Sequence, residues 1–215
     1  MNAKTEQLRD YLVEPDNDQD LARDEFRGSE RAYCDALFEL LECDEKRAKN
    51  RAAKLIANLA KAKPKVVYTR IEDLIALLAS TENILLWNAV ISLGHLAAVD
   101  SENRIADVLP KMLMLLKAET MVTAANTIDS LVNIMVAKPQ LAGKIIGPLL
   151  QVVDHERNDD CQVVLTARVA KQVTVFAPEA DGRVKSALLK FAEANAANAN
   201  ARIAKPSAKL LKKLG

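Results

Sequence analysis

The sequence has few aromatic residues and few glycines. Phe, Trp and Tyr make up 4% of its 215 residues, and glycine occurs only six times. No Gly-rich phosphate loop is present, and no apolar run approaches the roughly 18 residues that a membrane-spanning helix needs. Residues 1–10 lack the apolar core of a signal peptide, so we expect a cytoplasmic protein. The abundant Ala, Leu, Lys and Glu favour α-helix, because these side chains lose little freedom in one.

Residues that could form a catalytic or metal site are also scarce. The only histidines are His95 and His155, and the three cysteines, Cys34, Cys43 and Cys161, have no zinc or redox spacing. His155 lies among acidic residues in a predicted loop, where a solvated charged loop is simpler than a metal site. We therefore predict free thiols, no catalytic site, no metal and no cofactor.

The sequence repeats with a step of 37 to 38 residues. Asn50, Asn88 and Asn126 are 38 residues apart, and apolar positions recur with nearly the same step. A period of that length, without strand-like stretches, is typical of stacked helical hairpins. Each hairpin consists of a first helix, A, and a second helix, B.

Hydrophobic periodicity predicts four helical pairs from residue 29 onward and part of a fifth. The predicted pairs are 30–42 with 46–61, 67–79 with 84–98, 103–117 with 120–136, 140–153 with 160–176, and a last one that starts near 180 and weakens after 195. Asp44, Thr81 and Asp159 are the predicted N-caps. Pro110 and Pro148 are predicted to lie inside helices A.

Short segments of the helices B resemble a known repeat family. Residues 56–59, 93–96 and 131–134 resemble the last helix of an armadillo repeat, in which an Asn stands between aliphatic residues. Residues 29–195 are thus similar to the armadillo/HEAT class of α-solenoids. The resemblance implies an all-α fold: a right-handed α-α superhelix of four to five helical hairpins. The short step favours the two-helix HEAT geometry over the three-helix armadillo unit.

The resemblance also implies a peptide-binding position. In the armadillo family this Asn faces a concave groove and holds the backbone of an extended peptide. Carried over, the position falls on Asn58, His95 and Asn133, with Gln172 as a weaker fourth member. The tryptophans that accompany this Asn in nuclear import receptors are missing here.

The residues themselves indicate a polar stripe on each of the first three helices B. Polar side chains recur there at spacings that place them on one helix face. They are Asn50 and Asn58 in the first helix B, Asn88, Ser92 and His95 in the second, and Asn126, Ser130 and Asn133 in the third. Asn costs a helix roughly 0.5–0.7 kcal/mol relative to Ala, yet its carboxamide can pair with an extended backbone. We predict that the stripes bind a peptide or protein; alternatively, the carboxamides only bridge adjacent helices or face water.

The net charge of +1 conceals strongly charged segments. Residues 1–45 carry −9, residues 46–70 carry +9, residues 71–182 carry −6 and residues 183–215 carry +7. Within the first helix B, four cations share the face of Asn58, and we predict that they bind anionic groups of an acidic partner. These cations are Arg47, Arg51, Lys54 and Lys61.

The two ends of the chain are predicted to lie outside the repeats. Residues 1–28 form an acidic arm, and we expect its residues 10–25 to fold back on the basic helix and compete with external ligands. Residues 196–215 form a basic cap or tail, in which Pro206 is expected to start a short helix. The tail could cover the last repeat, touch a membrane surface or bind nucleic acid, and we favour the first.

These patterns favour a non-catalytic protein-interaction scaffold. One alternative is a nucleic-acid- or phosphate-binding protein that uses residues 47–65 and the tail. Another is a structural subunit of a larger assembly. HEAT-like DNA glycosylases are disfavoured, because the charge of −6 over residues 71–182 opposes phosphate along the groove.

Overall fold

A computed structural model of the chain describes residues 3–14, 29–155 and 157–215. The described residues form twelve α-helices and no strand. The chain divides into two compact units, Met1–Val99 and Asp100–Gly215.

The first unit contains six α-helices. They are α1 (Ala3–Val13), α2 (Glu30–Leu40), α3 (Lys46–Ala62), α4 (Pro64–Tyr68), α5 (Ile71–Ala76) and α6 (Asn83–Leu96), with 3-10 turns at Leu77–Ala79 and Ala97–Val99. The two helices B, α3 and α6, pack against each other, and α2 packs on α3. Helix α1 contacts both α2 and α3 and buries Thr5, Leu8 and Leu12.

The second unit consists of two layers of helices. The helices are α7 (Arg104–Leu115), α8 (Met121–Ala137), α9 (Ala142–Leu150), α10 (Asp159–Phe176), α11 (Gly182–Ala196) and α12 (Ala201–Leu214), with 3-10 turns at Pro139–Leu141, Gln151–Asp154 and Ala177–Glu179. Helices A form one layer, in which α9 contacts α7 and α11. Helices B form the other, in which α10 contacts α8 and α12. Each helix B of this unit thus packs against another helix B. A polar stripe needs such a neighbour if it is to extend beyond one helix.

The four predicted hairpins and the first helix of the fifth are present, but the second repeat departs from the two-helix HEAT geometry. Where one helix was predicted over 67–79, the chain forms α4 and α5, so this repeat has three helices. Pro64 is the first residue of α4, a position that suits its fixed φ and missing N–H. The two helices are separated at Thr69 and Arg70. The guanidinium of Arg70 forms ion pairs with Asp73 and Asp35.

The predicted N-caps are each one residue away from those in the structure. Helices α3, α6 and α10 are preceded by Glu45, Glu82 and Asn158. Glu45 accepts a bond from the backbone N–H of Arg47, and Asn158 accepts one from that of Cys161. These bonds satisfy first-turn donors that have no partner within a helix. The predicted positions of Pro110 and Pro148 inside helices A are confirmed, in α7 and α9.

Residues 201–214 form a complete helix that packs on α10 and α11. The helix starts at Ala201, where Asn200 accepts the backbone N–H of Arg202, and it contains Pro206 in its interior. The expectation that Pro206 begins this helix is therefore wrong. Ile203, Ser207, Leu210 and Leu214 are buried at helical spacing, so α12 is the helix B of a fifth hairpin.

Candidate functional site

The stripe residues of the first unit differ in accessibility. On α3, Lys54, Asn58 and Lys61 are exposed and Asn50 is half-buried. On α6, Asn88 and His95 are half-buried. The side chain of Asn88 donates a hydrogen bond of 2.7 Å to the Ile84 carbonyl of its own helix, which leaves its Oδ1 as an acceptor.

The two serines of the predicted stripes are buried. Ser92 is 0% exposed, and its hydroxyl donates to the Asn88 carbonyl at 2.7 Å. Ser130, at the corresponding position of α8, is 1% exposed. Serine can satisfy its hydroxyl within its own helix turn, and its small size allows a neighbouring helix to approach closely. The prediction that Ser92 and Ser130 contact a partner is therefore wrong.

The two arginines of the predicted anion site bind the end of α1. Arg47 donates from Nη1 to the Val13 carbonyl at 2.9 Å. Arg51 donates from Nη1 to the Leu12 carbonyl at 2.7 Å and to the Glu14 carbonyl. The last carbonyls of a helix have no partner within it and carry partial negative charge, so two guanidinium groups stabilise this end. Both arginines are thus engaged by the chain itself through backbone oxygens, whereas residues 15–25 of the predicted acidic arm lie outside the described residues.

His95 and Lys61 lie close enough to influence each other electrostatically. Burial lowers the pKa of His95 below its ordinary value, and the charge of Lys61 lowers it further. The imidazole is therefore neutral near neutral pH, when it can both donate and accept a hydrogen bond.

The second unit presents a continuous mixed surface on α8 and α10, here called the α8–α10 face. It comprises Asn126, Asp129, Asn133 and Val136 of α8 with Arg168, Gln172 and Val175 of α10. Asn133 is exposed, and Asn126 and Gln172 are half-buried. The carboxamides of these three residues make no hydrogen bond to any other described residue.

An ion pair joins the two helices across this face. Arg168 donates from Nε and Nη2 to the two carboxylate oxygens of Asp129, at 2.8 and 2.6 Å. These bonds raise the pKa of Arg168 above its ordinary value. A two-point guanidinium–carboxylate pair fixes both side chains in orientation, so α8 and α10 are held in register where the carboxamides lie.

Next to the α8–α10 face, a groove lies between α10 and α12. This α10–α12 groove has a volume of about 490 Å³ and is lined by Val164, Ala167, Arg168, Lys171, Gln172, Ala201, Arg202, Lys205 and Pro206. Four of its lining residues are cations and none is acidic. Gln172 is the one predicted partner-binding residue that lines it.

Neither a metal centre nor a membrane span is found in the described part of the chain. No three His, Cys, Asp or Glu side chains within residues 3–14, 29–155 and 157–215 are grouped so that they could hold a metal ion. The helices described here are all too short or too polar to cross a membrane.

Comparison with solved structures identifies the fold. A designed armadillo repeat protein in complex with the peptide (KR)4 matches with a TM-score of 0.66 at 16% identity, over 100% of both chains. The fold is armadillo-like. A computationally designed armadillo repeat protein for modular peptide recognition matches with a TM-score of 0.60 at 16% identity, over 98% of this chain and 92% of the other.

A natural protein also shares the armadillo-like fold. The armadillo-repeats-only protein of Plasmodium falciparum matches with a TM-score of 0.57 at 18% identity, over 100% of this chain and 99% of the other. The sequence itself matches no protein-family model and no curated protein.

The sequence-based prediction omitted two features of the second unit. The first is the Asp129–Arg168 pair, whose separation of 39 residues is close to the repeat step and so was a usable signal. The second is the α10–α12 groove, which requires α12 to pack beside α10. From the sequence we expected the basic tail to cover the last repeat, but not that it would form a groove with α10.

Proposed function

We propose that this chain is a non-catalytic interaction scaffold that holds an extended segment of a partner protein on its helices B. The α8–α10 face supports this proposal most directly. There, an accessible carboxamide is followed three residues later by an exposed valine on each of two neighbouring helices. Asn133 precedes Val136, which is 45% exposed, and Gln172 precedes Val175, which is 63% exposed.

This pairing suits an extended chain. A carboxamide can donate to a peptide carbonyl and accept from a peptide N–H, while the valine covers an apolar side chain of the ligand. Neighbouring helices are about 8–10 Å apart, and an extended chain advances about 3.3 Å per residue. Each repeat would therefore hold about three residues of the partner.

The similar folds support the same class of ligand. One structurally similar designed armadillo protein is in complex with a peptide, and another is described as made for modular peptide recognition. On the first unit, Asn50 and Asn58 of α3 and His95 of α6 are the corresponding candidates.

The proposal can be tested by selecting ligands from a random linear-peptide library. The double variant Asn126→Ala/Asn133→Ala should bind the selected peptides about 5- to 140-fold more weakly, because each lost hydrogen bond is worth about 0.5–1.5 kcal/mol. The matched control is Gln140→Ala/Gln151→Ala, which removes two exposed carboxamides from segments on the helix-A side of the same unit. Equal losses in both variants, or failure of the library to yield any binder, would contradict the proposal.

A further inference from the structure

We propose that the α10–α12 groove binds acidic side chains of the partner segment. The inference rests on the proposed scaffold function and assigns the chemistry of the ligand at one place. The sequence predicted an anion-binding site on α3, where Arg47 and Arg51 instead hold the end of α1. The proposed site lies on the last two helices B.

The charged side chains that line the groove are all cationic. Lys171, Arg202 and Lys205 are exposed, and none of them forms an ion pair with another described residue. Arg168 is the fourth cation, and Asp129 already neutralises part of its charge. Because no acidic residue lines the groove, three uncompensated cations surround it. Their combined potential favours a ligand that carries several negative charges.

The backbone adds to this potential. Ala201 and Arg202 form the first turn of α12 and line the groove. The N-terminal end of a helix carries a partial positive charge that acts over its first turn. One further cation continues along α12 beyond the groove, since Lys205 is followed one turn later by the exposed Lys209.

The apolar lining indicates a peptide rather than a free anion. Val164, Ala167 and Pro206 contribute to the walls between the cations. A small phosphate or sulfate would leave these side chains uncovered, whereas a peptide can place an apolar residue on them and its carboxylates on the lysines. Gln172 connects the groove to the α8–α10 face, so one extended segment could cross both.

The surroundings disfavour a nucleic acid. Affinity for a nucleic acid depends on cations that follow a track of several phosphates. The neighbouring α8 contributes Asp129 and no cation to the α8–α10 face. Residues 71–182 together carry a net charge of −6. Among the helices B of this unit, cations thus lie only on α12 and the adjacent edge of α10, which matches a short acidic stretch within a longer peptide.

The test uses three fluorescein-labelled peptides of equal length, built from repeats of Glu-Val-Ser, Gln-Val-Ser and Lys-Val-Ser, together with a deoxythymidine oligonucleotide. Fluorescence anisotropy gives the affinity of the full chain for each probe at low and at physiological salt. We expect the glutamate peptide to bind most tightly. The variant Lys171→Glu/Lys205→Glu should weaken this binding by about tenfold or more at low salt, because two attractions become repulsions. Lys171→Gln/Lys205→Gln should give a smaller loss.

The matched control is Lys144→Glu/Lys190→Glu, which makes the same charge change at exposed lysines of α9 and α11 and should leave the affinity unchanged. Circular dichroism checks that every variant keeps its helix content. If the three peptides bind alike and only Asn126→Ala/Asn133→Ala weakens them, the inference about the groove is wrong and the scaffold proposal stands. Tighter binding of the oligonucleotide than of the glutamate peptide would overturn the inference in favour of nucleic acid. If none of the three peptides binds, the inference fails, and the library selection then decides the scaffold proposal separately.

Discussion

The ammonium group of Lys138 lies 3.1 Å from the Asp100 carboxylate and donates to the Asp100 carbonyl oxygen at 2.7 Å. The Asp100 side chain is 0% exposed and that of Lys138 is 9% exposed. The same carboxylate accepts the backbone N–H groups of Arg104 and Ile105 at 2.9 and 3.1 Å. One buried carboxylate thus caps the start of α7 and neutralises a cation that follows the end of α8.

Replacing this carboxylate should destabilise the second unit strongly. Asp100→Ala removes the helix cap and leaves a buried lysine without its counterion, so the free energy of unfolding should fall by about 3–5 kcal/mol. Lys138→Met should cost less, because Asp100 keeps its two backbone donors. Urea unfolding measures both values, and Glu102→Ala, at an exposed position nearby, serves as the control with an effect within about 0.5 kcal/mol. An Asp100→Ala protein as stable as the control would show that the pair contributes nothing.

The attachment of α1 depends on two arginines of α3. In Arg47→Ala/Arg51→Ala, the last carbonyls of α1 lose their guanidinium donors, although Leu8 and Leu12 remain able to pack. We expect backbone amides of residues 3–13 to exchange hydrogen about 10-fold faster or more, since each bond to a charged group is worth about 1.5–3 kcal/mol. Mass spectrometry after deuterium labelling would measure this exchange. Lys54→Ala, which removes a neighbouring cation of the same helix, should leave α1 unchanged; equal exchange in the two variants would contradict the role of the arginines.

Periodicity in the sequence predicted the helices well and their contacts less well. The apolar spacing of α3, α6, α8 and α10 identified the first four helices B, because burying one stripe requires residues three and four apart. Such spacing does not show how far a neighbouring helix covers the stripe's edge. Ser92 and Ser130 lie at such an edge and are buried, whereas Asn133 on the same face is exposed.

The atoms that make contacts between distant residues were not predictable from the sequence. The opposite charges of the two segments led us to expect residues 10–25 near the basic helix, but Arg47 and Arg51 bind backbone carbonyls of residues 12–14, which no charge pattern indicates. By contrast, the full extent of α12 could have been predicted. Its buried residues, Ile203, Ser207, Leu210 and Leu214, follow helical spacing, but the neighbouring Ala- and Asn-rich stretch obscured the boundary.

The three cysteines should differ in reactivity. Cys34 is buried, and burial together with the charge of Asp35 raises the pKa of its thiol to about 11. Cys43 and Cys161 are partly exposed. Because the thiolate is the reactive form, iodoacetamide at about pH 8 should modify Cys43 and Cys161 in the folded protein and leave Cys34 unmodified. Peptide mass spectrometry measures the extent of modification at each cysteine. Urea-denatured protein, in which all three cysteines react, is the control. Modification of folded Cys34 as fast as Cys161 would contradict the prediction.

The half-buried imidazole of His95 should make the first unit less stable in mild acid. Its pKa in the folded protein is below the ordinary value of about 6.5, so the unfolded chain binds the proton first as the pH falls. The free energy of unfolding should therefore decrease below about pH 6.5 and stop decreasing once the folded protein is also protonated. Urea unfolding of wild type and His95→Gln across this range isolates the effect, because the variant should lose less stability.

Lys61→Gln provides a second check on His95. The pKa of His95, followed by NMR, should rise when this neighbouring charge is removed but should stay below its ordinary value, since burial is the larger cause. A His95 that titrates at its ordinary pKa in the wild type would contradict both expectations.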